Sequence, residues 1–225
     1  MDLLKEILVL KDSEGRYIIG HQVNVYFYAG SLARLIASDL IRVVEVAALF
    51  HDMGKIGIPD EILCKMGKPT PGEWEVIRRH PVLGAELFEK CIKQRSGSSD
   101  LVPEEARAVC AAILCHHERW DDNGYPNGLK GEEIPLTARI IAVADAYDAM
   151  TADRPYRKAM GREEALRRIA ERAGRQFDLE VAARFLEMVG NQKRMLSGPE
   201  KITGEAFPAY ASLRGGSPLG GFRDG

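Results

Sequence analysis

The sequence predicts an all-α protein, and three observations support that class. Apolar residues recur at helical spacing in one segment after another, and one later segment is apolar on nearly every side. No alternation of apolar and polar residues persists long enough to build a sheet. With 225 residues, of which 45% are hydrophobic, the chain can bury the core of one domain. We therefore expect a single helical bundle.

The first half of the chain predicts four helices. Residues 22–38 carry one apolar face, and residues 41–51 form a second, more apolar helix. Two shorter helices are expected over 72–78 and 82–93. They should separate near His80, because a residue that precedes proline avoids helical backbone angles.

The second half predicts four more. A helix over 103–117 opens with a proline and two glutamates, which is a favourable first turn. The segment 135–151 is almost entirely apolar, which indicates a helix at the centre of the bundle. Amphipathic helices are expected over 162–173 and 179–189. These elements place the domain at 1–196.

The remaining residues, 197–225, are rich in glycine and proline and have little periodicity. Such a composition is typical of a flexible or extended C-terminal tail.

Composition excludes several classes of function. The formal net charge of -2 gives no general attraction to a nucleic-acid polymer. The apolar stretches are too short to cross a membrane, and the first residues lack the pattern of a signal peptide, so a cytoplasmic location is expected. The four cysteines include no CxxC pair; we interpret them as reduced thiols, with a zinc-cysteine site as the weaker alternative.

The five histidines and two aspartates stand in unusual settings. His51 and Asp52 follow directly on an apolar helix, and Asp145 lies within the most apolar one, where an ionised carboxylate needs a strong partner. Imidazoles and carboxylates without thiolates suit a first-row divalent metal. Seven such ligands are too many for one ion and suit two, with a carboxylate that bridges them. The histidines are His21, His51, His80, His116 and His117.

Each of these features also has a structural interpretation when taken alone. A His-Asp pair can simply end a helix, adjacent histidines can cap one, and a buried aspartate can be satisfied by hydrogen bonds. Those interpretations do not explain why every histidine of the chain lies in such a setting.

Several longer motifs occur in a fixed order and make the chain similar to HD-GYP domains, over about residues 8–190. The motifs are His51-Asp52-Met53-Gly54-Lys55, His116-His117-Glu118-Arg119-Trp120-Asp121, Gly124-Tyr125-Pro126, Ala144-Asp145-Ala146-Tyr147-Asp148-Ala149 and Arg154-Pro155-Tyr156-Arg157. The resemblance implies a single helical HD-domain bundle, followed here by the Gly/Pro-rich tail.

The resemblance also assigns roles to residues. It implies one metal held by His21, His51, Asp52 and Asp145, and a second held by Asp52, His80, His116 and His117. Family members usually hold iron or manganese. Lys55 resembles a catalytic, substrate-contacting lysine, and Arg154 and Arg157 resemble phosphate contacts, since guanidinium groups suit phosphate oxygens. Solvent-exposed side chains are the alternative interpretation for these three.

The implied activity is that of a metal-dependent phosphodiesterase that opens a cyclic dinucleotide, foremost cyclic di-GMP, to linear pGpG, which some family members cut again to GMP. A water that bridges both metals would supply the hydroxide, and Lys55 would stabilise charge on the phosphoryl oxygens. The loop around Gly124-Tyr125-Pro126 is expected to shape the site and to contact a partner such as a diguanylate cyclase domain. Neither a nucleic-acid polymer nor a membrane is expected as a partner.

Three positions depart from the family pattern. Tyr17 replaces a glutamate that accompanies a third metal, which favours two ions. Asn24 replaces a frequent arginine, and Asp122 replaces the usual glycine. These departures leave two other functions open: a catalytically weak HD-GYP module for nucleotide sensing or cyclase docking, and an HD phosphohydrolase for another nucleotide.

Overall fold

A computed structural model describes residues 16–65, 67–94, 101–153 and 158–195. No described residue lies in a β-strand, and the all-α class is confirmed. The helices are α1 Arg16–Ile36, α2 Ile41–Phe50, α3 Asp60–Leu63, α4 Pro71–Ile77, α5 His80–Gln94, α6 Pro103–Cys115, α7 Leu136–Thr151, α8 Arg162–Arg172 and α9 Leu179–Met195. Short 3-10 turns lie at Ser38–Leu40 after α1, at Met53–Gly57 after α2 and at Gly131–Glu133 before α7.

Helix α7 lies at the centre, as its composition predicts. It packs against α1, α2, α6 and α8. Its side chains are buried on more than one face, among them Ile140, Ile141, Val143 and Ala144, which have no exposed surface. Burying an apolar side chain of this size contributes about 1.5–3 kcal/mol, so a helix that is apolar all round is stable only where neighbours surround it.

Four of the helices, α1, α2, α5 and α6, also pack on one another. Helix α1 packs on α2, α2 on α6, and α6 on α5. The face of α1 that meets them contains Val25, Ala29, Leu32 and Ala33, all fully buried at helical spacing. The predicted face is therefore correct, but the helix begins at Arg16 rather than at residue 22.

The break between α4 and α5 differs slightly from expectation. Helix α4 starts with a capping box between Thr70 and Glu73 and ends at Ile77, and α5 already begins at His80. Pro81 therefore lies in the first turn of α5, where the missing N–H of proline leaves no hydrogen bond unmade. The proline opens the second helix rather than separating the two.

Contacts divide the chain into Met1–Met188 and Val189–Gly225, and helices α1–α8 lie in the first part. The expected tail, 197–225, lies outside the described residues. The boundary at residue 196 stays a prediction. Across the described ranges, none of the helices combines the length and the apolar character that a bilayer span requires.

Candidate metal centre

Seven side chains from five helices and their ends meet at one place. Asp52, which follows α2, lies where they join: its Oδ1 is 3.3 Å from Nε2 of His80, and its Oδ2 is 3.5 Å from Nε2 of His51 and 3.7 Å from Nε2 of His21. The ligand atoms form two groups, and within each group they lie within 4.8 Å of one another. One group is Asp52, His80, His116 and His117, and the other is His21, His51 and Asp145. These are the seven residues that the sequence singles out.

Three of the histidines are oriented by the backbone. The Nδ1–H groups of His51, His80 and His116 each donate to the carbonyl oxygen three residues earlier, at 2.7 Å. All three lie at helix termini, where carbonyl groups or N–H groups have no partner within the helix. Because a carbonyl can only accept, Nδ1 carries the proton and the lone pair is on Nε2, the atom that faces Asp52 in His51 and His80.

His21 is oriented differently. It lies within α1, and its Nδ1 is 2.6 Å from Oδ2 of Asp148 on α7. The other carboxylate oxygen of Asp148 accepts a hydrogen bond from Nδ2 of Asn24 at 2.7 Å. The Nε2 of His21 lies 3.2 Å from Oδ1 of Asp145. Of the two aspartates on α7, Asp148 is the more buried, although the sequence draws attention to Asp145.

One buried atom shows that a cation suits this place. The Nε2 of His51 is buried without a hydrogen-bond partner among the described residues. An unsatisfied buried polar atom costs about 1–3 kcal/mol, which makes such atoms rare unless they have a function. A metal ion would satisfy this lone pair, and the donor set of imidazoles and carboxylates fits a divalent first-row metal.

The charges of the group also favour a cation. Burial lowers the pKa of His80 and His116, and it lowers the pKa of His117 to about 3. Although burial opposes it, the positive charge of Lys55 holds the pKa of Asp52 well below its usual range. Three neutral imidazoles beside an ionised carboxylate are in the state that metal ligands require.

His21 and Asp145 form a tight pair. Although burial opposes it, the hydrogen bond and the charge of His21 hold the pKa of Asp145 well below its usual range. Burial alone would lower the pKa of His21, but the hydrogen bonds to Asp145 and Asp148 raise it to about 9. Asp145 is therefore ionised at neutral pH.

Lys55 places a positive charge at the shared carboxylate. Its Nζ donates to Oδ2 of Asp52 at 2.5 Å, and its side chain is 30% exposed, so the ammonium group reaches both the site and solvent. The turn that carries it packs closely against α5, because Gly54 lies against the His80 backbone. Arg154 and Arg157, the expected phosphate contacts, lie outside the described residues.

The loop after His117 forms one wall of the site. The ring of Tyr125 lies 4.9 Å from the ring of His117, and its N–H donates to the His117 carbonyl at 3.3 Å. The guanidinium group of Arg78 lies over the Tyr125 ring, 4.6 Å from the ring centre. Arg78 was missed at the sequence level, because nothing in its spacing distinguishes it from a surface arginine.

A buried carboxylate holds this loop in place. Glu118, 4% exposed, accepts the backbone N–H groups of Asn127 at 2.7 Å and Leu129 at 3.1 Å. Asp121, at the start of the same loop, pairs with Arg119 at 2.7 Å. Neither Glu118 nor Asp121 has a hydrogen bond to a ligand histidine among the described contacts, whereas Asp148 contacts His21.

Comparison with known proteins identifies relatives of this arrangement. A family model described as an HD domain matches residues 6–181. The chain is 45% identical over 143 residues to a cyclic di-GMP phosphodiesterase response regulator of Xanthomonas campestris pv. campestris, covering 64% of this chain and 35% of the relative. It is 43% identical over 189 residues to a cyclic di-GMP phosphodiesterase of Pseudomonas aeruginosa, covering 83% of this chain and 42% of the relative. The chain thus spans less than half the length of these relatives.

A solved structure shows the same fold at low sequence identity. The HD domain of an L. monocytogenes phosphodiesterase, in complex with cyclic-di-AMP, superposes with a TM-score of 0.59 at 18% identity. The match covers 89% of this chain and 100% of that one, so the bundle corresponds to a whole HD domain.

Proposed function

The chain belongs to the HD domain family, within it to the HD-GYP type, and from this membership we propose that it is a metal-dependent phosphodiesterase acting on a cyclic dinucleotide. Cyclic di-GMP is the proposed substrate, with linear pGpG as first product and GMP as the final one. The observation that carries the proposal is the position of Asp52 between the two groups of ligand atoms, within 3.3–3.7 Å of Nε2 of three histidines.

In this proposal two divalent ions share Asp52. His21, His51 and Asp145 would complete one site, and the other would contain the second group, His80, His116 and His117. When bound, such ions neutralise charge on a phosphodiester and lower the pKa of water enough for it to act as a nucleophile near neutral pH. Iron or manganese is the proposed metal, in keeping with the nitrogen and oxygen donors.

The protein's own groups have distinct tasks. Lys55 stands beside the shared carboxylate and is placed to bind a phosphoryl oxygen and to stabilise the negative charge that develops there. The Tyr125 ring, held against His117 and covered by Arg78, offers an aromatic surface of the kind on which bases stack. We assign further phosphate contacts to Arg154 and Arg157 on the sequence motif alone.

The same loop is the proposed contact for a diguanylate cyclase domain. Its tip is exposed at Asp122, Asn123, Pro126 and Asn127, while Glu118 fixes the backbone beneath it. A loop that is both exposed and internally anchored loses little entropy when it binds a partner.

The test is metal-dependent turnover. Metal-free protein is loaded anaerobically with Fe(II) or Mn(II) and incubated with cyclic di-GMP, with cyclic GMP-AMP and with a mononucleotide, and the products are separated by chromatography. We expect linear pGpG from the loaded protein and none from Asp52→Ala. Asp39→Ala, which removes an exposed aspartate outside the site, should match the wild type. Full activity and full metal content in Asp52→Ala would overturn the proposal.

A further inference from the structure

We propose that Asn24 and Asp148 are positioning residues for His21, and that this pair sets the metal affinity of the site formed by His21, His51, Asp52 and Asp145 independently of the other site. The inference rests on the proposed two-ion function. It adds a determinant of metal binding outside the seven ligands themselves.

The position of His21 in its helix explains why it needs a side-chain partner. His51, His80 and His116 lie at helix termini and donate Nδ1–H to a backbone carbonyl three residues away. His21 is within the first turns of a 21-residue helix, where carbonyl groups accept from N–H groups four residues later. Its Nδ1 is instead directed to Asp148, from a helix 127 residues away in sequence.

The chemistry of this contact strengthens His21 as a ligand. A carboxylate that accepts the Nδ1–H of a histidine fixes the tautomer and the ring orientation, and it makes Nε2 a better donor to metal. The contact is short at 2.6 Å, and both residues are at least 95% buried, so water does not weaken it. Nε2 is thereby directed towards Asp145 and Asp52.

Asn24 supplies a neutral donor to the same carboxylate. Its Nδ2 binds Oδ1 of Asp148 at 2.7 Å, which leaves Oδ2 for His21. An amide orients the carboxylate without neutralising it, so the negative charge remains available to His21. An arginine at this position would form a charged pair with Asp148 and would add a positive charge near a cation site.

The effect should be confined to one of the two sites. Two of the three histidines of the second group, His80 and His116, are oriented by the carbonyls of Ile77 and Ile113 and not by Asp148. Loss of the Asp148 contact therefore leaves their orientation unchanged. A merely structural role for Asp148 would weaken both sites together.

The experiment measures Mn(II) binding by titration calorimetry in two backgrounds. His117→Ala removes a ligand of the second site, and Asp145→Ala removes a ligand of the first. We expect Asp148→Asn to weaken Mn(II) binding about 10–100-fold in the His117→Ala background, as is usual for loss of such a partner. In the Asp145→Ala background it should leave the affinity unchanged. Equal effects in both backgrounds, or no effect in the first, would overturn the inference.

Two further variants complete the design. Asn24→Arg and Asn24→Ala should weaken the same site and spare the other, and Asn24→Ala serves as the test if Asp148→Asn does not fold. Asp178→Asn is the matched control, because it alters another buried aspartate, which pairs with Arg139 and touches no ligand. It should leave both affinities unchanged.

Binding and hydrolysis are read separately. If the wild type binds two ions but hydrolyses no cyclic dinucleotide, the proposed function fails and the inference stands on the Mn(II) data. If the wild type binds fewer than two ions, the inference fails with the two-ion premise.

Discussion

A Cβ atom on Gly54 would lie 2.0 Å from the carbonyl oxygen of His80, which is closer than any side chain can approach. It would also lie 2.4 Å from the backbone N of Gly84. Glycine at this position therefore lets the turn that carries Asp52 and Lys55 pack directly on the first turns of α5. The distance between Asp52 and His80 depends on that close packing.

The first prediction concerns this contact. Gly54→Ala should lower the free energy of unfolding by about 1–3 kcal/mol, because backbone atoms cannot yield as a flexible side chain can. Urea denaturation measures the loss. Gly72→Ala is the control, since a Cβ at Gly72 in α4 meets nothing within 4 Å and alanine favours a helix. Equal stability of the two variants would contradict the packing argument.

The second prediction concerns metal removal. Wild-type protein should melt at a lower temperature after chelation, because His51 Nε2 and the crowded carboxylates lose the cation that satisfies them. At Mn(II) concentrations 100-fold above Kd, the stabilisation should reach about 2.7 kcal/mol per site. Thermal denaturation over a series of Mn(II) concentrations measures it. In Asp52→Ala the melting temperature should respond far less, and an equal response would show that the ion binds elsewhere.

The third prediction tests the anchor of the loop. Glu118→Ala leaves the N–H groups of Asn127 and Leu129 without their acceptor, and a hydrogen bond of this kind contributes about 0.5–1.5 kcal/mol. Hydrogen exchange should therefore speed up at these two amides more than in the core of α7. Glu132→Ala, at an exposed glutamate of the neighbouring turn, is the comparison. Unchanged protection at both amides would rule out the anchoring role.

The fourth prediction concerns the backbone at Asp122. Its φ of 60° lies in the left-handed region, which costs an L-residue about 1–2 kcal/mol and aspartate somewhat less. Asp122→Gly should raise the free energy of unfolding by about 0.5–1 kcal/mol, the gain being reduced by the greater freedom of glycine in the unfolded chain. Urea midpoints measure the gain. Asn123→Gly removes a side-chain hydrogen bond to Asp121 and should not stabilise.

The fifth prediction concerns the core. Phe185 on α9 is fully buried, with its ring 5.3 Å from that of Tyr147. Phe185→Ala should cost about 3–5 kcal/mol, since the cavity can close only in part. Leu179→Ala on the same helix, where the side chain is 63% exposed, should change stability by about 0.5 kcal/mol or less. Similar losses in both variants would contradict the assigned core.

The sequence predicts those features that depend on local spacing. The apolar period places α1, α2, α6 and α7 within a few residues of their observed positions, because a helix buries one face and that face recurs every 3.6 residues. The seven candidate ligands are also recognisable, since several stand where an apolar segment meets a charged or polar residue. Bringing them together required only that the helices pack in one bundle.

Relationships between distant segments were harder to predict. Asp145 and Asp148 lie three positions apart on α7, and only the packing of α1 decides which of them meets Nδ1 of His21. The contact of Arg78 with Tyr125 likewise joins two loops that have no shared pattern. Periodicity indicates the face of the helix on which a residue lies. It does not show which residue of another segment that side chain contacts.

The way in which the histidines are held has an evolutionary consequence. A backbone carbonyl accompanies every amino acid, so replacements at Ala48, Ile77 and Ile113 retain the acceptors of His51, His80 and His116. Of these four histidines, His21 is the one that takes its orientation from side chains, which a single codon change can remove. Divergence among proteins built in this way should therefore accumulate at position 24, where a substitution can change the metal affinity of one site and leave the other unchanged.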